Sequence, residues 1–395
     1  MGAVNISLTN GGLGGTIQTA DGVVGLVITG GIDGGGYTLG TPILLTSATQ
    51  LTGQGITTDG NELAVRQVGE FYDVAGDGAQ LYLMLVPNTM TASMIADKDE
   101  PDGAIKLLNY ADGKIKVLGV LTDDKLIGTP TISHAINAET LLAAANMKLL
   151  VAAFYALHKP FRGIVAGTSY TGVPGDLTDL TDGTSNNTCA VLIGDTEAGD
   201  SGTNTCYAAM GLLLGSIAAV PVMRKVSRVK TGALPITAAY VGLETIEAAG
   251  TDMAVIASRG YITLAKYPNV SGYFWSGDPM ATATSDDYHM LARGRVIDKA
   301  HILAYTTFVQ EIDDEVPVNK DGTLDVGFCT QLQQTIVNTI SANMGETKEI
   351  SDVRCYINPA QNILSTNVLN VVLKITPVGY ATAIEVKLGF ENPAL

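Results

Sequence analysis

Charge is scarce in this chain. Only 16% of its 395 residues are Asp, Glu, Lys or Arg, against 46% hydrophobic, and the mean hydropathy is positive. A lone soluble globule normally carries more charge, so much of the surface is expected to be buried against partners. The charge present is lopsided: 39 acidic residues against 23 basic give a net −16. Nucleic acid and anionic lipid are therefore excluded as expected ligands. Cysteine is equally sparse. Cys189, Cys206, Cys329 and Cys355 form no C-x-x-C pair and read as small buried hydrophobes in a reducing compartment. The four histidines (His134, His158, His289, His301) include no H-E-x-x-H motif, so metal-ligand spacing is missing. Long apolar runs are missing too. The stretch 211–223 is too short to span a bilayer and contains Pro221, and 141–157 is interrupted by Lys148 and reads as a buried amphipathic helix. The start lacks a basic region followed by an apolar run. A soluble protein made in the cytosol is expected.

The motifs of catalysis are also missing. The glycine-rich stretches 11–15 and 30–36 do not fit G-x-G-x-x-G, and Gly113-Lys114 lacks the upstream glycine and following hydroxyl of a phosphate loop. Residues 167–171 (GTSYT) follow an expected strand, but the last glycine of G-x-S-x-G is displaced to Gly172. His158 precedes Lys159-Pro160 at an expected helix end, where an imidazole complements the helix dipole. The acidic stretches 97–102, 123–124 and 311–315 lack the EF-hand pattern and read as solvated loops. No catalytic residue, metal ligand or cofactor is expected, and the chain does not read as an enzyme.

The two ends carry the most regular patterns. In 384–390, Ile384, Val386, Leu388 and Phe390 alternate with Glu385, Lys387 and Gly389, one apolar face and one wet face of a strand. The β-branched run 371–375 is expected to pair with it across the Pro377 and Gly379 turn. At the other end Val4, Ile6 and Leu8 alternate with polar residues ahead of a glycine tether over 10–15. Either the two termini pair within one globule, or they are exchanged between neighbouring subunits by main-chain hydrogen bonding. Periodicity does not choose between these readings.

Between the ends, expected strands at 22–30, 41–47, 81–86, 115–121, 161–166, 189–193 and 253–257 alternate with expected helices at 61–74, 104–110, 137–158, 206–219 and 241–249. That order implies an α/β domain with a largely parallel or mixed sheet covered by helices. The Thr-, Asp- and Gly-rich stretch 168–188 reads as an exposed loop. A change of character near Tyr267, Pro268, Tyr273, Phe274 and Trp275 suggests a boundary. The expected organisation is an arm over 1–21, an α/β domain over 22–267, and an α+β domain over 268–395. The last comprises two helices, near 287–310 and 323–344, and a β-sheet completed by exchanged strands.

Two surface features point to partners. The helix over 323–344 repeats Leu324, Phe328, Leu332, Ile336, Ile340 and Met344 every four residues, while its other face carries Gln331, Gln334, Asn338 and Ser341 without charge. Such an amide face fits either a partner or crowding within the domain. Arg224, Lys225, Arg228 and Lys230 form a basic cluster in an acidic chain, read either as a solvated loop or as a patch docking on an identical neighbour.

The order of motifs resembles the contractile tail sheath proteins of phages and related injection systems. The likeness rests on 22–29 (GVVGLVIT), a Gly-rich turn, 41–47 (TPILLTS), a helix ending at Phe71-Tyr72, and 81–86 (LYLMLV). It continues in 217–224 (IAAVPVMR) with 228–232 (RVKTG), and in the closing helix pair, 371–375, proline turn and 384–390. The resemblance implies a structural subunit that stacks in rings as a helical tube around an inner tail tube and contracts to drive it through a target envelope. It implies exchange of Val4, Ile6 and Leu8 and of Ile384, Val386, Leu388 and Phe390 between identical subunits. The helix over 323–344 is further expected to face that inner tube through Gln331, Gln334, Asn338 and Ser341. Baseplate and terminator proteins would meet the tube ends, with assembly in the bacterial cytoplasm and a place in a virion tail or injection particle. The rival expectations are an α/β nucleotide- or sugar-modifying enzyme with a C-terminal oligomerisation domain, which needs a ligand site at strand C-termini, and a non-contractile tube or shell protein.

Overall fold

A computed structural model describes residues 20–31, 36–183, 185–203 and 205–390. They form two compact units, divided after Gln310.

The first unit is built on a six-stranded sheet. Its strands are β1 (Val24–Thr29), β2 (Ile43–Leu45), β3 (Leu81–Val86), β4 (Val117–Leu121), β5 (Arg162–Ala166) and β6 (Cys189–Leu192), in spatial order β2-β3-β1-β4-β5-β6. All pairs are parallel except β2 with the neighbouring β3. Every residue of β1, β3, β4, β5 and β6 is buried, so these strands read as continuous apolar runs because both sheet faces are covered.

Alternation sorts the side chains into two cores. Leu26, Ile28, Leu83, Leu85, Ile164 and Leu192 face one side, packed by α1 (Thr58–Ala75) and α4 (Met210–Ala218). Val27, Met84, Val120, Val165 and Val191 face the other, packed by α2 (Ala104–Ala111) and α3 (Ala138–Ala156). Each fully buried Leu, Ile or Val contributes about 1.5–3 kcal/mol. α1 and α4 are drawn together by two glycines one turn apart. A Cβ on Gly211 would stand 1.8 Å from the Gln67 carbonyl oxygen, and one on Gly215 would stand 2.6 Å from that of Phe71. The buried Gln67 Oε1 accepts the Gly211 N–H at 2.6 Å.

α3 is long and apolar enough to cross a membrane by length and composition. Asn137 caps it, its Oδ1 accepting the Glu139 N–H at 3.1 Å, and Ala143, Met147, Leu150 and Phe154 are laid against the sheet. Its outer face is apolar as well, with Leu142 and Leu149 both more than half exposed, so the helix is less amphipathic than expected.

Some expected elements change here: residues 241–249, expected as a helix, hold an antiparallel pair (Tyr240–Val241 with Glu244–Thr245) and only a short helical turn, Ile246–Ala249. Residues 253–257, expected as a strand, lie in a helical turn (Asp252–Ser258), and the parallel bridge to Leu192 is made by Ile262. A five-residue apolar run is ambiguous between the two forms, and Ile256 alone of this turn is buried. The aromatic cluster near 268 packs into the first unit. Trp275 is 1% exposed and its Nε1–H donates to Ser216 Oγ at 3.0 Å. The following helix α5 (Leu291–Phe308) is bolted to β5 by Arg162 and Asp298, paired at 2.7 and 2.6 Å, and the compact unit runs on to Gln310.

The second unit contains α6 (Val326–Ile340), β7 (Ile350–Ile357) and β8 (Val371–Pro377). Asp325 caps α6 through its Oδ1, which accepts the Phe328 N–H at 2.8 Å. Cys329, Leu332, Ile336 and Ile340 are the buried stripe, continued by Met344 in a π-helical turn. β7 and β8 pair antiparallel, Val353 opposite Ile375 and Ile357 opposite Val371. β8 was expected to pair forward with 384–390. It pairs backward because Pro377 ends the ladder and β7 supplies a β-branched partner of matching length.

Candidate assembly surface

In a parallel sheet ordered β3-β1-β4-β5-β6 the chain reverses at β1, and the crevice outside the C-terminal ends of β1 and β4 is where ligands bind in such folds. Here the chain fills that space with its own groups. Gly31 N–H donates to Asn61 Oδ1 at 3.0 Å, and a Cβ on Gly31 would stand 2.0 Å from the Gly60 carbonyl oxygen. After β4, Asp123 accepts from Tyr207 Oη at 2.6 Å. Asp124, 3% exposed, accepts from Ser169 Oγ at 2.6 Å and from Asn137 Nδ2 at 3.2 Å. Burial pushes the Asp124 carboxyl above the usual carboxylate range, and those donors oppose the shift.

Ser169 is the serine of the stretch that resembled a nucleophile elbow. It has the left-handed backbone such a turn requires, with φ 54°. Yet it is 1% exposed and spends its proton on a buried carboxylate; among the described residues no hydrogen bond joins it to a histidine. That geometry caps a loop and does not activate a nucleophile.

A second polar cluster ties α1 to the segment after β6. Arg66 donates to both oxygens of Asp195 at 2.8 and 2.7 Å and to Glu70 Oε1 at 3.1 Å, with Glu197 at 3.5 Å. Three carboxylates thus share one guanidinium. Burial pushes Glu70 up to about 7, Arg66 opposes and Asp195 adds to the rise, and Glu70 Oε2 is buried without a hydrogen-bond partner. An open cleft of about 830 Å³ lies elsewhere, floored by Ile246, Met253 and Leu264. On its rim Glu247 meets Lys266 at 2.8 Å and is reached from outside the lining by Tyr273 at 2.8 Å, and both hold that carboxyl below its usual range. Among the described residues no cluster of three His, Cys, Asp or Glu side chains stands in metal-binding geometry. Burial raises the Cys206 thiol to about 12, leaving it inert.

The residues picked out for assembly are distributed unevenly. Val4, Ile6 and Leu8 lie outside the described residues. Ile384, Val386, Leu388 and Phe390 follow β8 in a segment without regular secondary structure, and their exposures of 80, 77, 96 and 110% leave all four side chains bare. Soluble surfaces do not ordinarily carry four bare apolar side chains at alternate positions of one short segment. Among the described residues β7 and β8 form a two-stranded sheet that packs against α6, where the Ile357 N–H donates to Gln333 Oε1 at 3.0 Å.

On α6, Gln331, Gln334 and Asn338 are exposed and Ser341 is half-buried. Gln334 Nε2 donates to Asn338 Oδ1 at 2.6 Å, and Thr330, Thr335 and Thr339 turn their hydroxyls back to carbonyls one turn earlier. The face is therefore uncharged and excludes no partner electrostatically.

The basic cluster is divided. Lys225 turns inward to Asp278 at 3.0 Å and Arg224 is half-buried, while Arg228 and Lys230 are exposed. Missed by sequence reasoning were the Arg66 and Arg162 networks and the meeting of His158 with His301. Their partners lie 129, 136 and 143 residues away, beyond the reach of any local pattern.

Comparison with solved structures places this architecture. The chain matches the contracted helical sheath of the anti-feeding prophage (AFP), with a TM-score of 0.64 at 12% identity over 98% of this chain and 99% of that one. It matches a chain of the six-fold symmetrised AFP baseplate, with a TM-score of 0.61 at 12% identity over 99% and 100%. It also matches the contracted sheath complex of PVC, an extracellular contractile injection system, with a TM-score of 0.60 at 12% identity over 100% and 99%. The fold is that of contractile-sheath proteins. Two family models cover nearly the whole sequence, the DUF2586 N-terminal domain over 1–278 and the DUF2586 C-terminal domain over 287–395, and the chain belongs to the DUF2586 family. No curated protein sequence matches it.

Proposed function

We propose that this chain is the structural subunit of a contractile tail sheath. It polymerises as a helical tube around an inner tail tube and contracts to drive that tube through a target envelope. The observation that carries the reading is the end-to-end likeness to sheath chains in the contracted state. It is supported by the bare alternating segment at 384–390 beside a sheet of only two strands.

In this reading Ile384, Val386, Leu388 and Phe390 form a strand given to a neighbouring copy, and Val4, Ile6 and Leu8, in an arm over 1–21, form a second. Each ladder hydrogen bond so made contributes about 0.5–1.5 kcal/mol. The amide face of α6 (Gln331, Gln334, Asn338, with Ser341 at its edge) contacts the inner tube. Arg228 and Lys230, the exposed part of the basic cluster, meet an acidic neighbour. The partners are identical subunits, the inner tube, and baseplate and terminator proteins at the ends. The particle is a phage tail or injection apparatus assembled in the bacterial cytoplasm. The role is structural and not enzymatic, consistent with the self-filled crevice and the buried Ser169.

Truncation after Tyr380 tests the exchange. The shortened chain is expected to stay folded and to lose sedimentable polymer; polymer of unchanged length and stability would refute it. Gln334→Glu with Asn338→Glu is expected to weaken binding to the inner tube protein, and unaltered binding would remove α6 from that interface.

A further inference from the structure

Two histidines far apart in sequence meet where α5 crosses the end of α3. His158 Nδ1 and His301 Nε2 lie 3.1 Å apart, and the ring centres are 5.3 Å apart. The facing nitrogens therefore lie between the rings, as in an N–H···N hydrogen bond. Tyr305 stacks on His158 with centroids at 3.8 Å and a 14° interplanar angle, and Tyr155 lies 4.4 Å from His301. His158 adopts φ 57° just past the end of α3. Its backbone N–H is held by Tyr155 O at 3.0 Å, and its neighbour Lys159 pairs with Asp112 at 2.6 Å. The ring is thus presented to α5 from a fixed corner.

We propose that the His158–His301 pair is a proton-sensitive latch that holds the C-terminal half of α5 onto the end of α3. A neutral pair keeps the bond, since one ring donates and the other accepts. A singly protonated pair also keeps it. A doubly protonated pair has two N–H groups facing each other and no acceptor, so the bond breaks and like charges repel.

The surroundings offer no relief. The carboxylate on the same helix, Asp298, is committed through both oxygens to Arg162, and Lys116 adds positive charge behind it. Asp112 is taken by Lys159, and the rings packed on the pair, Tyr155 and Tyr305, bring no carboxylate. Burial lowers the readiness of His301 to take a proton and His158 lowers it further, with only Asp298 opposing. The N-terminal half of α5 has separate anchors, the Arg162–Asp298 pair and Arg295 Nη2 on the Val220 carbonyl at 3.2 Å. Acidification therefore releases the last turns of the helix and leaves its first turns in place.

The test is hydrogen exchange on the full-length chain at about pH 7.5 and about pH 5, spanning the range in which histidine titrates. Rates are corrected for intrinsic pH dependence, and assembly state is followed by light scattering. Amides of 301–308 are expected to exchange about tenfold faster at the lower pH, the size of one hydrogen bond's contribution, while β1 amides stay protected. In His301→Phe and in His158→Phe, the pH response of 301–308 is expected to vanish with β1 still protected. The two variants cover each other, since His158 is the more exposed ring and His301 sits within α5. A wild-type chain without the acid response, or a folded variant that keeps it, overturns the latch. Neither result depends on whether the chain forms sheaths.

Discussion

Asp298→Ala removes one half of a buried ion pair and measures what docks α5. Arg162 and Asp298 are 4% and 5% exposed, and the guanidinium makes two carboxylate bonds at 2.7 and 2.6 Å, with carbonyls of Asn187 and Gly294 at 3.0 and 3.3 Å. Without Asp298 the guanidinium keeps two neutral acceptors and no counter-charge, in a site where a Cβ on Gly294 would stand 2.8 Å from Nε. Removing one partner of such a pair costs about 3–5 kcal/mol, a large part of the roughly 5–15 kcal/mol that holds a domain folded. Replacing both partners by apolar side chains of similar size, Arg162→Met with Asp298→Leu, is expected to recover most of that loss, because no charge is left stranded. Urea unfolding of the unassembled chain, followed by Trp275 fluorescence, reads both. A cost for Asp298→Ala below about 1 kcal/mol, the range of exposed surface pairs, would refute the reasoning.

Glu70 supplies a pH-dependent test. Its carboxyl is raised from 4.5 to about 7 in the folded chain, so the folded state holds the proton more tightly than the unfolded one. The resulting stability is complete below about pH 4.5 and is lost as pH rises through about 7, a change on the order of 3 kcal/mol. Glu70→Gln is expected to flatten that slope between pH 5 and 8 in thermal melts, and an unchanged slope would show that another group carries it. Gly211→Val should push α4 off α1, because even a Cβ would overlap the Gln67 carbonyl. A loss of at least about 1–3 kcal/mol is expected in urea unfolding, and a neutral result would show that the helix pair can slide apart freely.

Much of the fold was legible because it is local. The buried runs of β1 and β3 and the helical spacing of Leu63, Val68, Phe71 and Tyr72 give their elements without tertiary information. The Asp252–Ser258 turn was not legible, since a short apolar run carries no period of its own. The pairing of β8 was not legible either: both β7 and 384–390 alternate, and only the ladder itself shows which one β8 takes. Of the candidate surface, the alternation of Ile384 to Phe390 was plain, whereas the inward turn of Lys225 depended on Asp278, distant in sequence. Charge clusters and histidine meetings are properties of the folded chain, so sequence order hides them.

Electron microscopy of the purified full-length chain tests the central claim most directly. The account predicts hollow helical tubes with subunits in stacked rings, and density continuing from β8 through 384–390 into a neighbouring copy. Discrete monomers or small closed oligomers, with 384–390 folded back on its own chain, would contradict it.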